Sequence, residues 1–275
     1  KAGYAVTSNL LSLLVSTLVV LVLPKFIGVA SYGYWQLYLF YVSYVGFFHF
    51  GWIDGIYLKY GGAHFDDLDE SRFFSQFVTY GLFQALIAIV IFIVGNLISA
   101  NGDKQFIFNM LAITLLFTNL RFFIIYLLQT TNRIKESSII TILDRLVYFL
   151  LLMSLVLMGS SNYHIMIYVD VIARALSLVY GIYLCRNILL RPLTDYQLEL
   201  GEIWDNIKAG SNLMFSNIAS MLIIGTVRMG IERRWDVATF GKVSLTLSIS
   251  NLMMTFINAV GIVIFPMIKR MKEEY

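Results

Sequence analysis

One cysteine, three prolines and three histidines in 275 residues leave little for the chemistry those residues serve. Cys185 alone closes no internal disulfide, and no Cys/His cluster is available to hold a metal. His49, His64 and His164 fall at the rims and loops of apolar runs, without the spacing of a metal site or a nucleophile and its base. Charge is also scarce: Asp, Glu, Lys and Arg make up 13% of the chain, against about a quarter in a soluble domain. No stretch resembles a cleavable secretion signal. No segment alternates polar and apolar residues as a membrane barrel strand does. These absences argue against a disulfide scaffold, a metalloenzyme and a barrel. No catalytic residue, metal or cofactor is expected, and nucleic acid is not an expected partner.

What fills the chain instead is apolar sequence. Hydrophobic residues reach 59% and mean hydropathy is +0.76, which implies an all-α polytopic membrane protein. A spanning helix needs about 20 apolar residues, and on that measure about eight spans are expected. They are Ala2 to Pro24, Ser31 to Ile53, Phe73 to Gly102, Gln105 to about Leu128, Ser137 to Met158, Tyr163 to Cys185, Ala209 to Ile231, and about Val243 to Ile268. Tyr32, Tyr34, Trp35 and Tyr38 suit a headgroup-level belt at the start of span two, with Trp52, Tyr57 and Tyr60 at the opposite rim. Between spans six and seven, Leu198, Ile203, Trp204 and Ile207 fit an amphipathic linker at the membrane surface, or a solvated connector.

The chain also repeats itself. Val29-Ala30-Ser31-Tyr32-Gly33 returns as Val237-Ala238-Thr239-Phe240-Gly241, and at the same offset Ser8, Asn9 and Ser12 fall on Ser216, Asn217 and Ser220, and Lys25 on Arg233. An even number of spans separates equivalent points, so both copies enter the membrane in one direction. The expected organisation is a six-helix N-terminal lobe over 1–190, a cytoplasmic amphipathic linker over 191–207, and the first two helices of a C-terminal lobe over 208–275. Parallel repeats of this kind place a substrate site at the repeat interface. Lys59, Arg72, Arg133, Lys135, Arg186, Arg191, Lys208 and the basic stub at Lys269, Arg270 and Lys272 gather on the side of Lys1, while Lys25, Lys104, Arg233, Arg234 and Lys242 gather opposite. Basic residues collect on the cytoplasmic side, so the N-terminus is expected inside.

Four arginines fall inside spans: Arg121, Arg145, Arg174 and Arg228. Each opposes insertion at a helix centre by about 2.5 to 3.5 kcal/mol, so they must face water, acids or an anion. Arg121 and Asp144 sit at equal depth across the hairpin of spans four and five, and Asp170 and Arg174 are one helical turn apart, so local pairing competes there with ligand binding. Arg145 and Arg228 have no obvious acid at their depth and are expected to face an anion. Arginine suits that task because it keeps its proton when desolvated and grips phosphate oxygens in pairs. The anion-binding candidates are Arg121, Arg145, Arg174, Arg228, Lys25 and Arg233; Asp144 and Asp170 are candidates for pairing or for proton or ion coupling. The acidic run Asp66-Asp67-Leu68-Asp69-Glu70 superficially resembles a metal-diphosphate motif, but acids before a helix are also favoured by its dipole.

Five local patterns carry a family resemblance: Tyr32-Gly33 after span one, Gly51-Trp52-Ile53-Asp54-Gly55 closing span two, Gln129-Thr130-Thr131-Asn132-Arg133-Ile134-Lys135 between spans four and five, Asn206-Ile207-Lys208-Ala209-Gly210 opening span seven, and Phe265-Pro266 ending span eight. In this order the chain resembles the polysaccharide flippases of O-antigen type, in the superfamily that includes multidrug and toxic compound extruders and the lipid II flippase. The resemblance implies a bundle of twelve to fourteen helices, of which this chain is a fragment, with a cleft opening alternately to either side. It implies a bacterial inner-membrane location and a substrate of undecaprenyl diphosphate carrying a few sugars. Membrane lipids and polysaccharide polymerase and ligase machinery are the implied partners. A cation-coupled drug extruder is the alternative within the superfamily; a membrane-embedded glycosyl- or acyltransferase is the alternative outside it, and would need a convergent acid, base or metal site.

The charge asymmetry makes a testable statement about topology. Single cysteines at Asn101 and Ser161 should react with an impermeant thiol reagent in intact cells, and one at Asn132 should not. The reverse pattern would invert the orientation.

Overall fold

The computed structural model describes residues 2–99 and 101–254. Helices account for its regular structure, and no strand occurs among the described residues. They are α1 (Ala2–Val22), α2 (Val29–Val45), α3 (Trp52–Lys59), α4 (Glu70–Ile98), α5 (Gly102–Thr130), α6 (Ile134–Leu157), α7 (Tyr163–Leu184), α8 (Arg186–Leu189) and α9 (Leu200–Arg234). Residues 237–254 are also helical and form the described part of α10.

The long helices begin where short polar side chains cap them. Asp69 accepts from the Arg72 amide, Asn101 from Asp103 and Asn162 from His164, satisfying donors that a helix start leaves free. Four helices, α4 to α7, are long and apolar enough to cross a membrane, and α9 makes a fifth if its two segments, Leu200–Ala219 and Met221–Arg234, bent by 51°, are one span. Their exposed faces carry large apolar side chains such as Leu82, Leu86, Leu97, Leu157 and Val179, a surface suited to lipid rather than water. The chain is thus a multi-pass helical membrane protein. Of the eight expected spans, the four central ones agree with α4 to α7 to within a few residues. The last part of span eight, with Phe265-Pro266, lies outside the described residues.

Span two is where expectation and structure differ most. In place of one helix from 31 to 53, α2 ends at Val45, a 3-10 turn follows over Gly46–His49, and Phe50 and Gly51 both adopt the left-handed conformation at φ 51° and 82° before α3 begins. A non-glycine residue there stores about 1–3 kcal/mol of strain, and a broken helix frees backbone groups that lipid cannot satisfy. Neighbouring helices satisfy them. Asn119 of α5 donates to the Val45 carbonyl at 3.1 Å, Gln84 of α4 donates to the Phe48 carbonyl at 3.0 Å, and these two buried amides join each other at 2.7 Å. The Gly51 amide donates to His49 Nδ1 at 2.9 Å.

Two large apolar cores fill the bundle, beside a small third one of Val45, Leu111 and Leu115. One joins α1, α2, α6 and α7 through Val15, Trp35, Tyr38, Leu152 and Met166; the other joins α3, α4, α5 and α7 through Ile53, Phe73, Tyr80, Phe123 and Leu178. Against this bundle, α9 and α10 pack along α2 and α3 in a long seam. At one end of the seam, called the near end, Gly55 meets the backbone of Asn206, and Gly51 meets Gly210 and Ser211. Lys59 and Tyr60 each reach Glu202 there at 2.6 Å, and Arg72 reaches Glu199. At the other, far end, Gly33 packs on the Val237 backbone and Gly241 lies on Gly33, while Lys104 pairs with Glu232 at 2.5 Å. Gly33 and Gly241 are equivalent positions of the sequence repeat, so the two copies meet there.

Helix α9 starts at Leu200, inside the segment expected to be an amphipathic linker. Within it Ile203 and Asn206 are buried while Leu200 and Trp204 are exposed. Ile203 and Trp204 therefore do not share one face.

Candidate functional site

Charged side chains inside the molecule fall into two groups. The first lies within the bundle. Arg174 of α7 grips Asp170 with two hydrogen bonds, 2.8 Å from Nε and 3.1 Å from Nη2, and donates a third to Thr118 of α5 at 3.0 Å. Tyr38 of α2 donates to the same carboxylate at 2.6 Å and bonds Thr114 at 2.8 Å. One layer away Arg121 pairs with Asp144 at 3.1 Å, both 5% exposed, and stacks on Phe122. These pairs tie α2, α5, α6 and α7 together. The structure places Arg121 and Arg174 in ion pairs, with Asp144 and Asp170 as their partners. Arg145, expected to lack an acid, lies 3.8 Å from Asp144, its own neighbour in sequence, and is 36% exposed. Depth counting missed this contact because adjacent helical residues usually point apart.

The second group lies in the seam. Arg228 of α9 is half-buried, and among the described residues no carboxylate pairs with it. Its Nη2 donates to Ser244 of α10 at 3.0 Å and more weakly to Gln36 of α2 at 3.4 Å, while its Nε is buried without a partner. The rings of Phe40 and Phe240 lie 4.9 and 5.2 Å from the guanidinium carbon. Cation–π attraction adds roughly 0.5–2 kcal/mol per ring, most when water is excluded, so two aromatic faces take the place of a counter-ion. Phe40 also lines an apolar cavity of ≈ 390 Å³ that runs past Tyr44, Val90, Phe108, Gly225 and Met229. Lys25 and Arg233, the repeat-related cations, are both exposed at the far end.

Towards the near end the seam contains a site that the amino-acid pattern did not reveal. His49, placed at a membrane rim by its position in the chain, is 7% exposed, and its Nε2 lies 3.6 Å from Asp54 Oδ2. Asp54 is 2% exposed. A cavity of ≈ 170 Å³ adjoins the pair, lined also by Phe47, Phe122, Tyr126, Met214 and Asn217. The available signal was Gln84 and Asn119, two amides inside apolar runs, which mark the broken backbone beside which this pair sits. Asp66 and Asp67 lie in an exposed 3-10 turn and Asp69 caps α4. No group of three or more His, Cys, Asp or Glu side chains placed to hold a metal occurs among the described residues.

The ionic core makes a stability prediction. Asp170→Asn leaves the Arg174 charge buried without its partner, which destabilises by about 3–5 kcal/mol. Arg145→Lys, at a partly exposed pair, should change stability by less than about 1 kcal/mol. Unfolding of the purified protein in detergent checks the contrast, and equal shifts for the two variants would contradict it.

Compared with known proteins, residues 63–275 match a family model described as polysaccharide biosynthesis protein. No curated protein and no solved structure matches the chain.

Proposed function

The chain belongs to the polysaccharide biosynthesis protein family, and from that premise we propose that it moves lipid-linked oligosaccharide across the bacterial inner membrane. In this reading residues 1–190 form one lobe and the unit beginning near 208 starts a second. The seam between them opens alternately at its two ends, and no covalent bond is made or broken. The N-terminus lies on the cytoplasmic side, where polyprenyl diphosphate oligosaccharide would load.

The observation that carries the proposal is Arg228, a cation in the seam whose charge, among the described residues, meets Ser244, Gln36 and two aromatic rings and no carboxylate. A diphosphate entering between α2 and α9 would take the free Nε and displace Ser244 and Gln36 from Nη2, a pair of donors matched to two phosphate oxygens. The apolar cavity that shares Phe40 suits the first isoprene units of the lipid, which must stay out of water while the sugars cross. Lys25 and Arg233, exposed at the far end, would attract the anion as it leaves, and Arg145 is partly open to solvent. Arg121 and Arg174 serve this reading as scaffold, Arg121 tying α5 to α6 and Arg174 holding α2 through Asp170 and Tyr38. Polymerase and ligase proteins that use the exported unit are the proposed neighbours of the full-length protein.

Asp54 favours a second reading, a cation-coupled extruder, because an acid in the seam is what a cationic drug would need. Substrate decides between the two. In proteoliposomes holding the full-length protein, undecaprenyl-diphosphate oligosaccharide should change leaflets, and Arg228→Lys should slow this about tenfold or more, the loss of one charge-assisted hydrogen bond. Arg234→Lys, one residue beyond Arg233 and exposed, should not. Unchanged translocation by Arg228→Lys would remove the anion-clamp role, and movement of a lipophilic cation in place of the oligosaccharide would favour the extruder.

A further inference from the structure

Between the glycine contacts of the near end and Arg228, the seam buries one carboxylate that neither the ionic core nor substrate binding uses. Asp54 stands in the first turn of α3, against Gly210 of α9, and is 2% exposed. Its Oδ2 has no hydrogen-bond partner among the described residues. The nearest donor, His49 Nε2, is 3.6 Å away, beyond hydrogen-bond reach. No Lys or Arg pairs with Asp54 among the described residues. The groups that face it are His49 from the break between α2 and α3, Tyr126 from α5, which hydrogen-bonds the carboxyl group, and Tyr80 from α4. From α9 come Asn206, Met214 and Asn217, with Glu202 one turn further out, held by Lys59 and Tyr60.

His49 cannot readily take the proton in place of Asp54. Its Nδ1 accepts the Gly51 amide at 2.9 Å, where the left-handed turn aims that N–H at the ring. A proton on Nδ1 would break this bond and leave a backbone donor unsatisfied in the membrane. The ring is therefore fixed as the neutral tautomer with hydrogen on Nε2. The adjoining cavity of ≈ 170 Å³ has room for a few waters beside the carboxylate, which would bring a proton to it.

We propose that Asp54 is a proton-binding site that links protonation to closure of the near end of the seam. With α9 seated on α3, Asp54 is 2% exposed and its Oδ2 has no protein donor among the described residues, so the closed arrangement solvates a charged carboxylate poorly and favours the neutral acid. When α9 lifts away, water solvates the carboxylate and favours its charge. The step is the uptake of one proton from cavity water by Asp54, with no other bond changed. By linkage, the closed near end binds the proton more tightly, so lowering the pH shifts the population towards closure. This device needs no particular substrate and stands whether or not oligosaccharide is the cargo.

The test uses the full-length protein in nanodiscs without substrate, spin-labelled at Leu58 on α3 and Trp204 on α9, both exposed at the near end. The distance distribution should pass from a longer to a shorter population as pH falls through the carboxylate range. Asp54→Asn, neutral at every pH, should hold the shorter population throughout. Glu202→Gln, which removes the other titrating contact between these helices, should keep the pH response. If Asp54→Asn is poorly folded, infrared difference spectra of the wild type and Asp54→Glu read the protonation directly, through a carboxylic acid carbonyl band that moves in the glutamate variant. A pH response that survives in Asp54→Asn, one abolished by Glu202→Gln, or a carbonyl band unmoved in Asp54→Glu would each overturn the proposal.

Discussion

Backbone contact through glycine at the two ends of the seam is the constraint on which the rest of this molecule depends. At the near end Gly51 and Gly55 admit the α9 backbone at Asn206, Gly210 and Ser211; at the far end Gly33 admits Val237 and Gly241. A Cβ at Gly33, Gly55 or Gly210 would strike backbone atoms of the opposing helix, so the helices could not approach. The seam is pinned at its ends by these glycine contacts and by the side-chain bridges of Glu202 and Glu199 at one end and Glu232 at the other; Arg228 and the apolar cavity beside Phe40 lie between them, and the His49–Asp54 pair lies beside the near-end contact. Small residues at such crossings let the backbones approach closely, and the polar bridges beside them, Lys59–Glu202 and Arg72–Glu199 at the near end and Lys104–Glu232 at the far end, must part with them when an end opens.

The buried charges divide in the same way. Within the bundle, Arg174 and Asp170 pair and are held by Tyr38 and Thr118, and Arg121 pairs with Asp144, although its Nε is buried without a partner among the described residues. Removing either partner leaves a charge in a medium of low dielectric, which makes the bundle rigid. In the seam, Arg228 and Asp54 have no ionic partner among the described residues apart from the neutral His49 ring beside Asp54. Paired charges keep four helices in one arrangement. Unpaired ones favour a change of surroundings, by binding an anion at Arg228 or a proton at Asp54. That separation of a stiff body from a seam with open valences is what a transporter of this family requires.

Much of this could be read from the residues. The limits of α4 to α7 follow from long apolar runs, that of α4 free of charge beyond its first turn, and the starts of α4, α5 and α7 from Asp69, Asn101 and Asn162, whose capping geometry is local. The pairings of Arg121 with Asp144 and of Arg174 with Asp170 follow from depth and helical spacing, and the meeting of Gly33 with Gly241 lies on equivalent positions of the repeat. The break in span two was not legible, because its helix-stopping force comes from Gln84 and Asn119, far away in the chain, accepting the role of surrogate backbone partners. Arg228 drew notice as a lone cation, yet its aromatic flanks, Phe40 and Phe240, come from two other helices and have no local signature. His49 and Asp54 are five residues apart but are brought together only by the left-handed turn at Phe50 and Gly51, a conformation that apolar patterning does not encode.

Whether the seam parts during transport is the claim that joins these elements, and a reversible lock at its far end tests it most directly. Tyr34→Cys with Trp235→Cys, two positions that line one far-end cavity, can be bridged by a reductively cleavable bifunctional thiol reagent that ties the bundle to the segment before α10. The account predicts that cross-linking stops translocation in proteoliposomes of the full-length protein and that reductive cleavage restores it. Translocation at an unchanged rate with the cross-link complete would contradict it.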